Sequence, residues 1–263
     1  MIVIAGQSAS AFDGHMLSGL ERMIYVQKQE SSIVYRYNSV DSLMFELRMR
    51  TRIVAAARAL AGSGARFATF ENSQCNEAYW HRTAAGGFRL RSGVAPQAGI
   101  RDIFVNGGLY AFECATAMVI VLYKAALDSI DPNQFDRLFA NVYLFDWLYD
   151  NDLRLIDRAN PGEAVPGDVL YFENPDVSSA TPWWRGENAI VMGGGLLYGH
   201  GIGLTSAEEI INVLNRHREP GSTRSAYLTD KFTQVDFSYL QQFRSAAQAT
   251  PIIAKVGSRK YVC

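Results

Sequence analysis

The 263-residue chain is poor in the residues that build redox or metal frameworks: it has three cysteines (Cys75, Cys114, Cys263) and four histidines (His15, His81, His200, His217). Cysteines so few and so scattered exclude a disulfide scaffold. Neither type falls at metal-ligand spacing, so no metal and no other cofactor is expected. An excess of one charge is also missing. The formal net charge is −1, which gives no global field to select nucleic acid or an anionic membrane as partner. Long apolar runs are absent as well. The stretch 1–6 lacks the basic start and long apolar region of a signal peptide, and 115–121, between Glu113 and Lys124, is too short to span a bilayer. The expectation is a soluble chain made in the cytoplasm. With 48% hydrophobic and 19% charged residues, it has the composition of one globular domain with a full core.

The first forty residues show no clear period. Ser39 or Asp41 can cap a helix over 42–61, whose apolar face is Leu43, Leu47, Val54, Ala57 and Leu60. Arg48, Arg50 and Arg52 fall to its solvated side. Strands are expected at 66–70, 77–82 and 87–91, as a small antiparallel meander. A short helix at 98–105 precedes the Gly107-Gly108 break. A nearly all-apolar, hence central, helix then carries Cys114 in its first turns and runs to about 129. Further strands are expected at 142–145, running into Asp146-Trp147, and at 169–172 after the Pro166-Gly167-Asp168 turn. A hairpin of 188–192 and 196–204 turns around Gly193-Gly194-Gly195, and a helix covers 206–216. The tail beyond 250 reads as a mobile extension. Helix and sheet segregate along the chain, which favours an α+β fold over a doubly wound sheet.

Cys114 is the candidate nucleophile. The start of a helix carries partial positive charge and free amides, which favour a thiolate; a small buried core cysteine is the competing reading. The hairpin offers proton carriers. One register pairs Glu187 with His200, and the register shifted by one pairs Asn188 with His200. Either gathers all three residues at one end of the hairpin. Gly199 and Gly201 leave room there for another backbone or a substrate. Glu113 is either a helix cap or an auxiliary acid/base. Phe67, Trp147, Trp183 and Trp184 are core residues or the walls of an apolar tunnel that excludes water from the sulfur.

The segments Tyr110-Ala111-Phe112-Glu113-Cys114-Ala115-Thr116-Ala117, Trp184-Arg185-Gly186-Glu187-Asn188 and Gly199-His200-Gly201-Ile202-Gly203 resemble the spore-coat transglutaminases of Bacillus-type spore formers. Phe67-Ala68-Thr69-Phe70, Asp146-Trp147 and Ser225-Ala226-Tyr227-Leu228 extend the resemblance, which covers about residues 40–230 in order. It implies a papain-like core of the NlpC/P60 type and calcium-independent protein-glutamine γ-glutamyltransferase activity. It also implies Cys114 as nucleophile, Glu187 as main acid/base, Glu113 as a partly redundant second carboxylate and His200 as the superfamily histidine. Phe67, Trp147 and Trp184 match the tunnel, with Trp183 as a second ring that could gate it. The implied partners are glutamine- and lysine-bearing spore-coat proteins. The implied protein is a monomer, made in the mother cell and assembled into the coat. The competing functions are a cysteine peptidase or amidase acting through Cys114 and His200, and a non-catalytic coat component.

Overall fold

The structure is a computed structural model that describes residues 1–8, 12, 14–245, 253–256 and 259–262. The N-terminal region is ordered into a small unit that the sequence pattern does not reveal. In it β1 (Ile2–Ile4) pairs antiparallel with β2 (Gln7–Ser8) and, beyond helix α1 (Gly19–Glu30), parallel with β3 (Tyr35–Tyr37). Helix α2 (Val40–Gly62) begins at Ser39, whose side chain accepts the Ser42 amide. It ends before Gly64, which takes a left-handed φ of +89°.

The expected meander is rearranged. Its first member, β4 (Arg66–Phe67), leaves it, while β5 (Trp80–Arg82) and β6 (Phe88–Leu90) stay antiparallel. After helix α3 (Pro96–Val105), β7 (Ala111–Phe112) pairs parallel with β4. That non-local pairing sets Phe67 beside the start of helix α4 (Cys114–Leu127). Helix α5 (Pro132–Leu138) follows, and β8 (Tyr143–Leu144) adds to the other edge of the pair, beside β6.

The main sheet has six antiparallel strands. They are β9 (Leu155–Ala159), β10 (Val169–Glu173), β11 (Gly186–Gly193), β12 (Leu196–Gly199), β13 (Gly203–Thr205) and, after helix α6 (Ala207–Asn215), β14 (Tyr227–Val235). Their order is β13-β12-β11-β10-β14-β9. The short helix α7 (Phe237–Leu240) closes the sequence against α2. A separate antiparallel pair forms from β15 (Ile253–Val256) and β16 (Arg259–Val262). The rest of the expected tail over 250–263, Cys263 included, lies outside the described residues.

Helix α4 is the centre of this mixed α+β fold. Every residue of it except Lys124 is buried, and it packs on α2, α3 and β11. Each fully buried aliphatic side chain there contributes about 1.5–3 kcal/mol, so the turn that carries Cys114 is anchored along its whole length. Among the described residues no helix is long and apolar enough to cross a membrane.

One sequence expectation fails inside α2. Arg50 is not solvated: it is 1% exposed, with Nε 2.7 Å from Glu46 and Nη1 2.7 Å from Asp168. The partner that makes this burial tolerable lies 118 residues away in the Pro166-Gly167-Asp168 turn.

Candidate active site

Cys114 is the first residue of α4 and Glu113 is its cap. The Glu113 carboxylate accepts the Ala115 and Thr116 amides, each at 2.6 Å, and its carbonyl accepts the Ala117 amide at 3.1 Å. Of the two readings of Glu113, the cap is therefore the one its geometry fills. It also engages two of the helix-start amides that could otherwise face an oxyanion; the Cys114 amide lies one position earlier, outside that set. Burial pushes the Glu113 carboxyl up, and Asp146 adds to this, against the pull of the two amides.

The hairpin adopts the shifted register. Ala189 faces Gly199, Ile190 faces Tyr198 and Val191 faces Leu197, before a bulge at the turn. Carried one pair further, that register sets Asn188 against His200. Glu187, at 1% exposure, lies diagonal to Gly199, and a Cβ at Gly199 would stand 2.7 Å from Glu187 Oε1. A Cβ at Gly201 would stand 3.0 Å from Phe67. The space beside the two glycines is thus filled by the carboxyl and the ring rather than left for substrate.

The sulfur of Cys114 has two neighbours from β11. Asn188 Nδ2 donates to Sγ at 3.7 Å, and the Glu187 carboxyl interacts with the thiol. Burial pushes the Cys114 thiol well up, Glu187 and Glu113 push it further, and the Asn188 side-chain and backbone amides oppose them. Burial also pushes Glu187 well up, aided by Glu113 and opposed by Cys114 and the His200 main-chain amide. Glu187 Oε1 is buried and accepts no hydrogen bond.

His200 lies elsewhere. Its Nε2–H donates to the Arg66 carbonyl, and its Nδ1 accepts from the Tyr198 hydroxyl, both at 3.1 Å. The tautomer follows from those partners. The ring stacks on Phe112 with centroids 4.8 Å apart. Burial lowers His200 to about 4, so it is neutral at physiological pH and both of its nitrogens are committed.

Cys114, Glu113 and Asn188 open into a cavity of about 1020 Å³ walled by Phe67, Trp147, Tyr171 and Trp183 among others. Of the two adjacent tryptophans, Trp183 lines this cavity and is 45% exposed. Trp184 does not line it. Its ring stands 6.0 Å from Phe67 and 4.4 Å from His217, near-parallel to both. It stands beside Phe67, itself a residue of the wall. Tyr171 is a site residue that sequence reasoning passed over, and Asn188 one that it set at the hairpin end without giving it a role. The β10–β11 register that pairs them is the signal that would have found them. Among the described residues, no group of three or more His, Cys, Asp or Glu is arranged to hold a metal ion.

Comparison with known proteins gives a consistent picture. A family model described as protein-glutamine gamma-glutamyltransferase matches residues 1–244. The chain is 48% identical to a protein-glutamine gamma-glutamyltransferase of Bacillus cereus over 214 residues, 81% of this chain and 77% of that one. It is 43% identical to the same-named protein of Bacillus pumilus, over 92% of this chain and 98% of that one. Its fold is similar to a solved transglutaminase from Geobacillus stearothermophilus lacking its C-terminal extension, with a TM-score of 0.75 and 52% identity, covering 78% of this chain and 98% of that chain.

Proposed function

The chain belongs to the protein-glutamine gamma-glutamyltransferase family, an acyltransferase acting on glutamine- and lysine-bearing proteins, and we propose that it forms ε-(γ-glutamyl)lysine crosslinks through a thioester on Cys114. The Cys114 thiolate attacks the γ-carboxamide carbon of a glutamine side chain. The Cys114 amide, outside the set capped by Glu113, faces the developing oxyanion. Glu187, holding a proton, gives it to the departing nitrogen, and ammonia leaves. A lysine amine, entering uncharged, then attacks the thioester carbon. Its proton passes to Glu187 as the thiolate leaves, which restores the starting state.

The observation that carries this assignment is the buried Glu187 carboxyl interacting with Cys114, while both nitrogens of His200 are bound elsewhere. A carboxyl raised by burial can both give and take a proton near neutral pH. The aromatic walls support transfer over hydrolysis, because apolar surface there disfavours water. In this reading Glu113 orients the helix start and lends its charge to both titrating groups. The enzyme works without calcium, as a monomer, and crosslinks spore-coat proteins after synthesis in the mother cell. The resemblance to the spore-coat enzymes of Bacillus-type spore formers supports that placement. The test is mass spectrometry of a glutamine-bearing protein incubated with this protein and a primary amine. Amine incorporation that Cys114→Ala abolishes is expected; incorporation that survives the substitution rules the thioester out.

A further inference from the structure

Proton transfer between Cys114 and Glu187 has two possible resting points, and the surroundings of the two groups are unequal. Loss of one proton from the pair leaves either a thiolate beside a carboxylic acid or a thiol beside a carboxylate. Only the first form holds both a nucleophile and a proton for the leaving nitrogen. On the sulfur side, the Asn188 side-chain amide donates to Sγ at 3.7 Å, and the Asn188 backbone amide acts on the sulfur as well. On the carboxyl side, the His200 main-chain amide reaches Glu187, and the hydrogen bond shared with Cys114 serves either form, but Oε1 is buried without a partner. Gly199 supplies only a hydrogen where a side chain could have carried a donor. A buried anion goes to the atom that has donors, and a carboxylate with one bare oxygen is costly. Glu113 repels negative charge on either group. His200, neutral, contributes no imidazolium that would hold the thiolate in place of an amide.

We propose that Asn188 is a catalytic residue: its side-chain amide holds the negative charge on Cys114 Sγ, so that the single proton of the Cys114–Glu187 pair rests on Glu187. The step moves one proton from Sγ to the Glu187 carboxyl and leaves the electron pair on sulfur; nothing is oxidised or reduced. Because the thiolate attacks in the first half-reaction and departs in the second, the same hydrogen bond acts in both. Asn188 also lines the cavity onto which Cys114 opens.

The proposal rests on the Cys114–Glu187 reading above, and its test is independent of any substrate. Infrared difference spectra against Cys114→Ala isolate the S–H band of Cys114. Spectra against Glu187→Gln isolate the carboxylic-acid C=O band of Glu187. As pH rises, the native protein is expected to lose the S–H band first and keep the carboxylic band. Asn188→Ala, and Asn188→Leu of the same heavy-atom branching should the alanine variant not fold, are expected to reverse the order. Alkylation of Cys114 by iodoacetamide at neutral pH should fall at least about tenfold in both, the size of one charge-assisted hydrogen bond. An unchanged order in a folded Asn188 variant overturns the proposal. A native protein that loses its carboxylic band first overturns it too, because the Asn188 carbonyl rather than its nitrogen would then face the sulfur. Amine incorporation by the native protein, measured alongside, tests the transglutaminase reading separately.

Discussion

Glu46 and Glu187 are both buried carboxylates, at 7% and 1% exposure, but the fold treats them in opposite ways. Glu46 lies where α1 and α2 meet, against Lys28, Arg50 and the Tyr37 hydroxyl. Burial alone would raise it; Lys28 and Arg50 outweigh burial and bring it down to about 2. Arg50 goes on to Asp168, which also accepts the Val165 amide. Every charge in that cluster has an opposite within reach, which holds Glu46 ionised, although burial still outweighs the partners at Asp168, whose carboxyl is pushed up, and at Lys28, which is lowered to about 8. Glu187 has no cation beside it. Its neighbours are a thiol and another carboxylate, and burial pushes it up unopposed by any positive charge. The contrast shows that burial alone does not make a structural carboxylate or a reactive one. The sign of what is buried with it does. A compensated cluster specifies geometry, whereas an uncompensated one keeps a proton mobile.

The sharpest way to break this comparison is to neutralise the uncompensated group. Glu187→Gln is expected to cut amine incorporation at least about 100-fold, with a melting temperature equal to or above the native one, because an unpaired buried carboxyl is removed. His200→Ala should do the reverse. It costs about 2–3 kcal/mol through two lost hydrogen bonds and the Phe112 stack, while activity per folded molecule is largely kept. If steady-state kinetics and thermal melts give the opposite pairing, the protein uses a cysteine–histidine pair, as the peptidase or amidase reading holds.

The compensated cluster should respond in stability rather than rate. Arg50→Met leaves Glu46 and Asp168 without their shared guanidinium, and about 3–5 kcal/mol of stability should be lost, read by denaturant unfolding at pH 7. The acid limb carries the same information. A carboxylate held below its ordinary range contributes stability that is present above the unfolded value and vanishes as pH falls through the folded one. For Glu46 that window runs from about pH 4.5 down to about 2. Over it the native protein should lose about 3 kcal/mol attributable to this group. In Arg50→Met, with one cation gone, the loss should begin at the same pH, end at a higher one and be smaller. An Arg50→Met protein as stable as native at both pH values would show that the cluster is not compensated in the way its geometry indicates.

What the amino-acid sequence made legible follows the same division. Helix α4 announced itself through an almost unbroken apolar run after a glycine pair, and the β11–β12 hairpin through three consecutive glycines. Both are local signals, and both carry site residues. The family resemblance pointed to Glu187 over His200, which no local pattern separates. The parts that were not legible depend on partners far along the chain. Arg50 looks solvated on a helical wheel because Asp168 is invisible from α2. Arg66–Phe67 looks like a member of a meander because its real partner is Ala111–Phe112 in a parallel pair. The residues before Ser39 have no period because their strands are two or three residues long. Asn188 was hidden by its ordinariness: a polar residue on a strand says nothing until a sulfur lies beside it.

Metal removal should have the smallest effect, and it tests both regions at once. In the compensated cluster the carboxylates of Glu46 and Asp168 are already neutralised by Lys28 and Arg50, so a divalent cation would have to displace an ion pair that is itself buried. At the site, Glu113 spends both carboxylate oxygens on helix amides, and Glu187 has only a thiol and a main-chain amide to share with a cation. A calcium ion takes six to eight oxygen ligands, and neither region gathers them. Amine incorporation after exhaustive dialysis against a chelator is therefore expected to equal that of the untreated protein, and added calcium should leave it unchanged. Activity lost on chelation and restored by calcium would assign a cation to a role that neither carboxylate group is built to fill. It would also end the argument that the charge missing around Glu187 is what keeps its proton mobile.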